Sequence, residues 1–218
     1  GPTVGHYTVT AAAAGVAAPA GFDLTNLSGP PAAVTVFAGD GQSARVGTAL
    51  AADLVVRVTD ANGNPRDGVA VTFAGPGVTF TPSTVATASG LARGSATGLT
   101  VAGDFTVTAA VAGVVAPAVF VVHLTPGPAD HLAVSGFPAA TTAGVAHAVT
   151  VTAYDALGNV ATGYAGTVRF ASSDARAVLP ADAGFTTADH GVKTVAGVEL
   201  RTAGTGATVS ATDTAVGT

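Results

Sequence analysis

The sequence predicts an all-β protein built as tandem β-sandwiches. Three observations predict it: a composition that favours strand over helix, short segments in which apolar and polar residues alternate, and a long stretch that recurs further along the chain. Charged residues are only 10% of the 218, against about a quarter in an ordinary domain. Thr, Ala and Gly take their place, and β-branched Thr suits a pleated, half-buried surface. The 29 Gly and 12 Pro fit a chain with many turns. Hydrophobic residues, at 48%, suffice for a core.

The same composition excludes several functions. Eight Lys and Arg against a net charge of −5 cannot assemble the basic patch that nucleic acid requires. Without Cys there is no disulfide, thiolate chemistry or cysteine-zinc site. The apolar run Ala11 to Gly21 is shorter than the ~20 residues that cross a bilayer, and Gly15 and Pro19 argue against helix there, so no membrane insertion is expected in this fragment. With no Met, the chain reads as a processed or excised piece and Gly1-Pro2 as a cloning scar.

The repeat sets the domains. Gly5 to Thr25, "GHYTVTAAAAGVAAPAGFDLT", matches Gly103 to Thr125, "GDFTVTAAVAGVVAPAVFVVHLT", with Tyr7, Val9 and Phe22 standing where Phe105, Val107 and Phe120 stand. Ala203 to Gly217 is a weaker third copy. Spacing near one hundred residues means tandem domains of immunoglobulin size. The expected division is residues 1–29 as a terminal strand pair of a preceding repeat, 30–126 as one domain, and 127–218 as a second that lacks its last strand.

Each strand follows from period-two alternation. Val34 and Val36 open the first full domain, followed by Leu54, Val56 and Val58, then Val71 and Phe73. Phe105, Val107 and Ala109 share a face, as do Phe120, Val122 and Leu124. Leu132 and Val134 open the second domain; Val149, Val151 and Ala153, then Val168 and Phe170, continue it, and Val195, Val198 and Leu200 sit in one strand. The junctions Ser28 to Pro31 and Thr125 to Pro128 are Pro-rich and hence semi-rigid. The expected object is a rod of sandwiches.

Between two of these strands lies "TDANGNP", Thr59 to Pro65, with Asp60, Asn62 and Asn64 at alternate positions like the first ligands of a calcium loop. An EF-hand needs Gly at the sixth position and Glu at the twelfth; here they are Pro65 and Val71. The second copy, "YDALGNV", has Leu157 in place of Asn62. What recurs is Asp-Ala-x-Gly-Asn, which is turn chemistry: a structural turn of Asp60, Gly63 and Asn64, and another of Asp155, Gly158 and Asn159. No cofactor is expected. The alternative is calcium at a domain junction, with Asp67 or Asp130 contributing.

"AVTVFAGDGQSARVGTALAADLVVRVTDANGNPRDGVAVTF", with Gly39 to Ala44, Val46-Gly47 and the Asp60 to Asn64 turn, resembles the bacterial Ig-like domains of the invasin and intimin type. The second domain, with "TAGVAHAVTVTAYDALGN", "GTVRFASSD" and "LPADAGFT", resembles a related repeat of large bacterial surface proteins. The resemblance covers almost the whole chain. It implies tandem immunoglobulin-like β-sandwiches acting outside the cell as stalks, spacers or adhesive modules. The receptor-binding terminal module of invasins is not visible.

Little else looks chemical. No G-x-S-x-G occurs, and "GDGQSARVG" lacks the Lys of a phosphate loop. His6, His123, His131, His147 and His190 show no metal-ligand spacing; His131 with Asp130 could form a small zinc site, but solvated linker residues are the simpler reading. Asp174, Asp182 and Asp189 read as loop carboxylates with nothing to pair them. No enzyme is expected. Trp is absent, leaving Tyr154 and Tyr164 as the candidate contact surface for a glycan or host receptor. Asn26 to Ser28 matches a glycosylation acceptor at chance level.

The ends offer two explanations. Either a longer repeat array was cut between natural boundaries, or Pro19, Phe22 and Leu24 belong to a strand that one copy donates to the second domain of the next. The partners expected are neighbouring repeats or copies of itself. The reading is a rod-like spacer or stalk on a bacterial surface, and the alternative is a ligand-binding module using its loops.

Overall fold

The computed structural model describes residues 3–215. Gly1, Pro2 and Gly217, named above, lie outside them. Among the described residues extended structure dominates, with a single short 3-10 turn at Thr187–Asp189. No helix among the described residues is long and apolar enough to cross a membrane. The chain clusters into two compact units. The first holds the chain through Leu99 together with Gly103–Leu124; the second holds Thr100–Ala102 and the chain from Thr125 onward.

In chain order the first unit contains β1 (Gly5–Ala11), β2 (Ala20–Asn26), β3 (Ala33–Ala38), β4 (Gln42–Arg45), β5 (Leu54–Thr59), β6 (Ala70–Ala74), β7 (Val78–Phe80), β8 (Thr84–Ala86), β9 (Leu91–Gly94), β10 (Ala96–Gly98), β11 (Gly103–Val111) and β12 (Ala118–Thr125). One sheet runs β3-β5-β9 and the other β4-β12-β11-β6-β8; β10 pairs with β7. The inward residues are those of the period-two reading. Leu54, Val56 and Val58 of β5 are buried with Val71 and Phe73 of β6, Val107 and Ala109 of β11, and Phe120, Val122 and Leu124 of β12. Removing such aliphatic and aromatic area from water is the main force that closes a sandwich. Val36 departs from the pattern: it is exposed while Val34 is buried. The register of β3 against β5 slips just beyond it, between Val36 and Ala38.

The hairpin β1-β2 is a second casting of β11-β12. Tyr7 stands opposite Leu24 and Val9 opposite Phe22; Phe105 stands opposite Val122 and Val107 opposite Phe120. The registers are the same and the burial is not. Phe120 is 0% exposed and Phe22 57%, because β11-β12 lies within a five-stranded sheet and β1-β2 forms a sheet of its own.

The second unit contains β13 (Ala129–Ser135), β14 (Ala146–Asp155), β15 (Thr167–Ser172), β16 (Ala183–Gly184), β17 (Val192–Glu199) and β18 (Val209–Asp213), ordered β13-β14-β17 and β16-β15-β18. Val149, Val151, Val168, Phe170, Phe185, Val198 and Ala211 form its core. Val195 and Val198 share β17 although they are not two or four apart. Gly197, at φ +93°, and a register slip between His147 and Val149 take up the odd residue. Leu200, expected in that strand, lies just past its end. Of the third repeat copy, Val209–Asp213 forms strand.

Candidate functional site

The two Asp-Ala-x-Gly-Asn turns are the most heavily bonded polar features among the described residues, and they are built alike. In the first unit the turn follows β5. Gly63, at φ +80°, gives the left-handed bend that residues with a Cβ adopt at a cost, and its N–H donates to the Asp60 carbonyl at 3.0 Å. The Asp60 carboxylate sits inside the bend, only 4% exposed. Oδ1 accepts the N–H groups of Asn62 and Asn64, each at 2.9 Å. The Asn64 carboxamide Nδ2 donates to Oδ1 at 3.1 Å and to Oδ2 at 2.9 Å.

Asp155, 1% exposed, repeats this. Its Oδ1 accepts from the N–H of Leu157 at 2.9 Å and of Asn159 at 2.8 Å. Asn159 Nδ2 donates to Oδ1 at 3.2 Å and to Oδ2 at 3.0 Å. Gly158 stands at φ +84°. The side chain of the third residue, Asn62 or Leu157, makes none of these bonds; only its N–H is used.

Each carboxylate also reaches outside its turn. Asp60 Oδ2 accepts the Gly29 N–H at 2.9 Å, and Asp155 Oδ2 accepts the Gly127 N–H at 2.8 Å. A Cβ at Gly127 would come within 3.3 Å of Asp155 Cβ, a tight fit. Each Asn reaches outside too. Asn64 Oδ1 accepts from Val4 N–H at 3.3 Å. Asn159 Oδ1 accepts from Ala102 N–H at 2.8 Å, and its Nδ2 donates to the Thr100 carbonyl at 2.8 Å. These five outside partners were not anticipated from the sequence. The signal was present in the matched Gly-Pro pairs, Gly29-Pro30 and Gly127-Pro128, and in the matched Gly5 and Gly103.

Donors surrounding a carboxylate favour its charged form. The carboxamide of Asn64, followed by the backbone N–H groups of Gly29, Asn64 and Asn62, outweighs burial and holds Asp60 at about 2. For Asp155, burial pushes upward but the donors from Gly127, Asn159 and Leu157 prevail, and the group is lowered.

The other residues singled out from sequence fall elsewhere. Tyr164, expected at the surface, is half-buried: its hydroxyl donates to Asp213 Oδ2 at 2.5 Å and its ring meets Phe185 edge-on at 5.1 Å. Desolvation and the Asp213 charge push its hydroxyl well above the usual tyrosine range. Tyr154 is half-covered by the His131 ring stacked on it at 5.6 Å; the two stand opposite each other across β13 and β14. The pair Tyr154 and Tyr164 therefore offers no open aromatic platform. Phe22 and Leu24 are exposed on β2, and Pro19 lies just before that strand.

The loop carboxylates each have a task. Asp174 takes the Thr202 hydroxyl at 2.7 Å and three backbone N–H groups. Asp182 receives Arg169 through two nitrogens. Asp189 caps the 3-10 turn through Thr186 and meets Lys193. His131 Nδ1 lies 3.2 Å from Asp130, and His123 Nδ1 lies 2.7 Å from Asp104. No group of three or more His, Asp or Glu among the described residues is placed to hold a metal ion.

Two antiparallel sheets around one apolar core, the arrangement duplicated along the chain, define tandem immunoglobulin-like β-sandwiches. The chain is similar in structure to FdeC, an Escherichia coli adhesin (19% identity, TM-score 0.53, covering 98% of this chain and 71% of that one). It also matches Yersinia pseudotuberculosis adhesin InvE (20%, TM-score 0.39, 84% and 55%) and Yersinia pseudotuberculosis InvD (15%, TM-score 0.44, 95% and 62%). The chain thus spans little more than half the length of the last two. No protein-family model and no curated protein matches it.

Proposed function

We propose that the chain is a structural, non-catalytic module of a bacterial cell-surface protein, a spacer or stalk element that acts outside the cell. The observation that carries this reading is duplication. The hairpin, the sandwich strands and the Asp-Asn turn all recur, and the invested polar chemistry ties backbone together rather than facing a cleft. The adhesin FdeC shares the fold. The mechanism is reach: each domain adds on the order of 30 Å, from strands of ~6–9 residues at ~3.3 Å rise plus loops. Stretching single molecules tests it. Two separate unfolding events are expected, each releasing roughly 30 nm of chain, from ~90 residues at ~3.6 Å each. Extension without resistance would defeat the reading.

Assembly by strand complementation is the finer form. Supporting it, β2 pairs on one side with β1, and its other edge has no partner strand among the described residues. β18 likewise pairs only with β15, whereas β11 is flanked on both sides. A donated Phe22 and Leu24 would place apolar side chains where Phe120 and Val122 sit in the first unit. Sedimentation at high concentration decides: strictly monomeric behaviour with the second unit folded removes this form. The alternative, a glycan- or receptor-binding module, has an open depression lined by Ser173, Asp174, Arg176 and Thr202 to offer. Binding to a glycan array that Arg176→Ala abolishes would favour it.

A further inference from the structure

We infer that the Asp-Ala-x-Gly-Asn turn is a docking socket as well as a bend, and that its partner is main chain of its own unit: the segment that leads into β1 or β11. The inference rests on the spacer reading for its biological use and on geometry for its substance.

The Asn is the working group. Its Nδ2 is committed to the Asp carboxylate in both turns, so the plane of the carboxamide is set before any partner arrives. Oδ1 is thereby aimed outward. At Asn159 it accepts Ala102 N–H while the Nδ2 edge reaches the Thr100 carbonyl. A primary amide carries both a donor and an acceptor, so this one side chain satisfies an N–H and a C=O two residues apart, much as a neighbouring strand would. At Asn64 the equivalent acceptor takes Val4 N–H.

The docked segments share a backbone feature. Val4 precedes Gly5 and Ala102 precedes Gly103, and both glycines stand at φ +148°, a conformation essentially closed to other residues. The chain leaves the socket through that glycine and enters its strand. The Asp supplies a second hold, on Gly29 or Gly127 in the Gly-Pro linker. One carboxylate and one carboxamide therefore grip two separated stretches of backbone. This accounts for which turn residues recur. Asp and Asn have partners outside the bend, Gly makes the bend, and the third position contributes only its N–H. A bend alone needs no Asn of fixed orientation.

Amide hydrogen exchange on the full chain tests this. Asn159→Ala should raise exchange at Ala102 about three- to tenfold, the loss of one hydrogen bond, while Ala153 and the other β14 amides keep their rates. Asn64→Ala should do the same at Val4 and leave Ala102 alone. Leu157→Asn, altering the side chain that is not used, should change neither. If Asn159→Ala speeds exchange through β14 and leaves Ala102 as it was, the residue serves the bend only and the socket is refuted. The outcome is independent of whether the protein acts as a stalk, which the stretching experiment addresses.

Discussion

Gly94 on β9 faces the ring of Phe73 on β6 across the first sandwich, so closely that a Cβ at position 94 would lie 2.8 Å from the ring. The glycine is there because the sheets meet at that point. Gly94→Ala should destabilise the first unit by about 1–3 kcal/mol, the usual penalty of overpacking. Denaturant titration followed by NMR should show β5 and β6 signals moving to a lower midpoint and β14 and β15 signals staying where they are.

The paired hairpins give a comparison within one molecule. Phe120→Ala opens a hole in a packed core and should cost about 3–5 kcal/mol. Phe22→Ala, in the same register position of β1-β2, should cost less than about 0.5 kcal/mol, as exposed substitutions do. If strand complementation operates, Phe22→Ala should instead weaken self-association, which sedimentation equilibrium reads directly.

Acid stability follows from the two turns. Asp60 is lowered to about 2 from an ordinary 3.8, and Asp155 is lowered as well. A carboxylate with a depressed folded pKa contributes stability that is complete above its unfolded value. That contribution fades as pH falls toward the folded one. Stability should therefore decline between about pH 4 and pH 2. Asp60→Asn should flatten the decline in the first unit alone, measured by urea midpoints at each pH.

Tyr164→Phe removes a donor from Asp213, which is buried. A cost of about 1–3 kcal/mol is expected, the desolvation penalty of a group left short of a partner. The phenol is raised above the usual range. The folded state thus holds its proton where the unfolded state releases it, and stability is lost as pH climbs past about 10. Ultraviolet titration should find a late-ionising phenol that the Tyr164→Phe variant lacks.

Chelation should be without effect. The Asp60 and Asp155 oxygens are already taken by N–H donors, so a calcium ion has to displace bonds to bind there. Melting temperatures in excess calcium and in chelator should coincide; a rise with calcium would reveal a site that binds the folded form.

Much of this was legible in the sequence because it is local. Alternation of Leu54, Val56 and Val58 assigns a strand and its inward face, and Gly63 with Asn64 assigns a bend, with no knowledge of the rest. The roles that stayed hidden depend on residues far away. Asp60 meets Gly29 across 31 residues, and Tyr164 meets Asp213 across 49. A one-dimensional pattern carries no record of such meetings until the fold brings them together. The three-residue step from Val195 to Val198 was hidden for another reason: a register slip costs one residue of periodicity and leaves composition unchanged.

Both cores are assembled from Val, Leu, Phe and Ala, and the chain contains no Cys, Met or Trp. Peroxide and related oxidants therefore meet no thiol, thioether or indole anywhere in it, and the ladder of sulfur oxidation that scars other proteins has no first rung here. Oxidation of sulfur or indole therefore plays no part in the ageing of this protein.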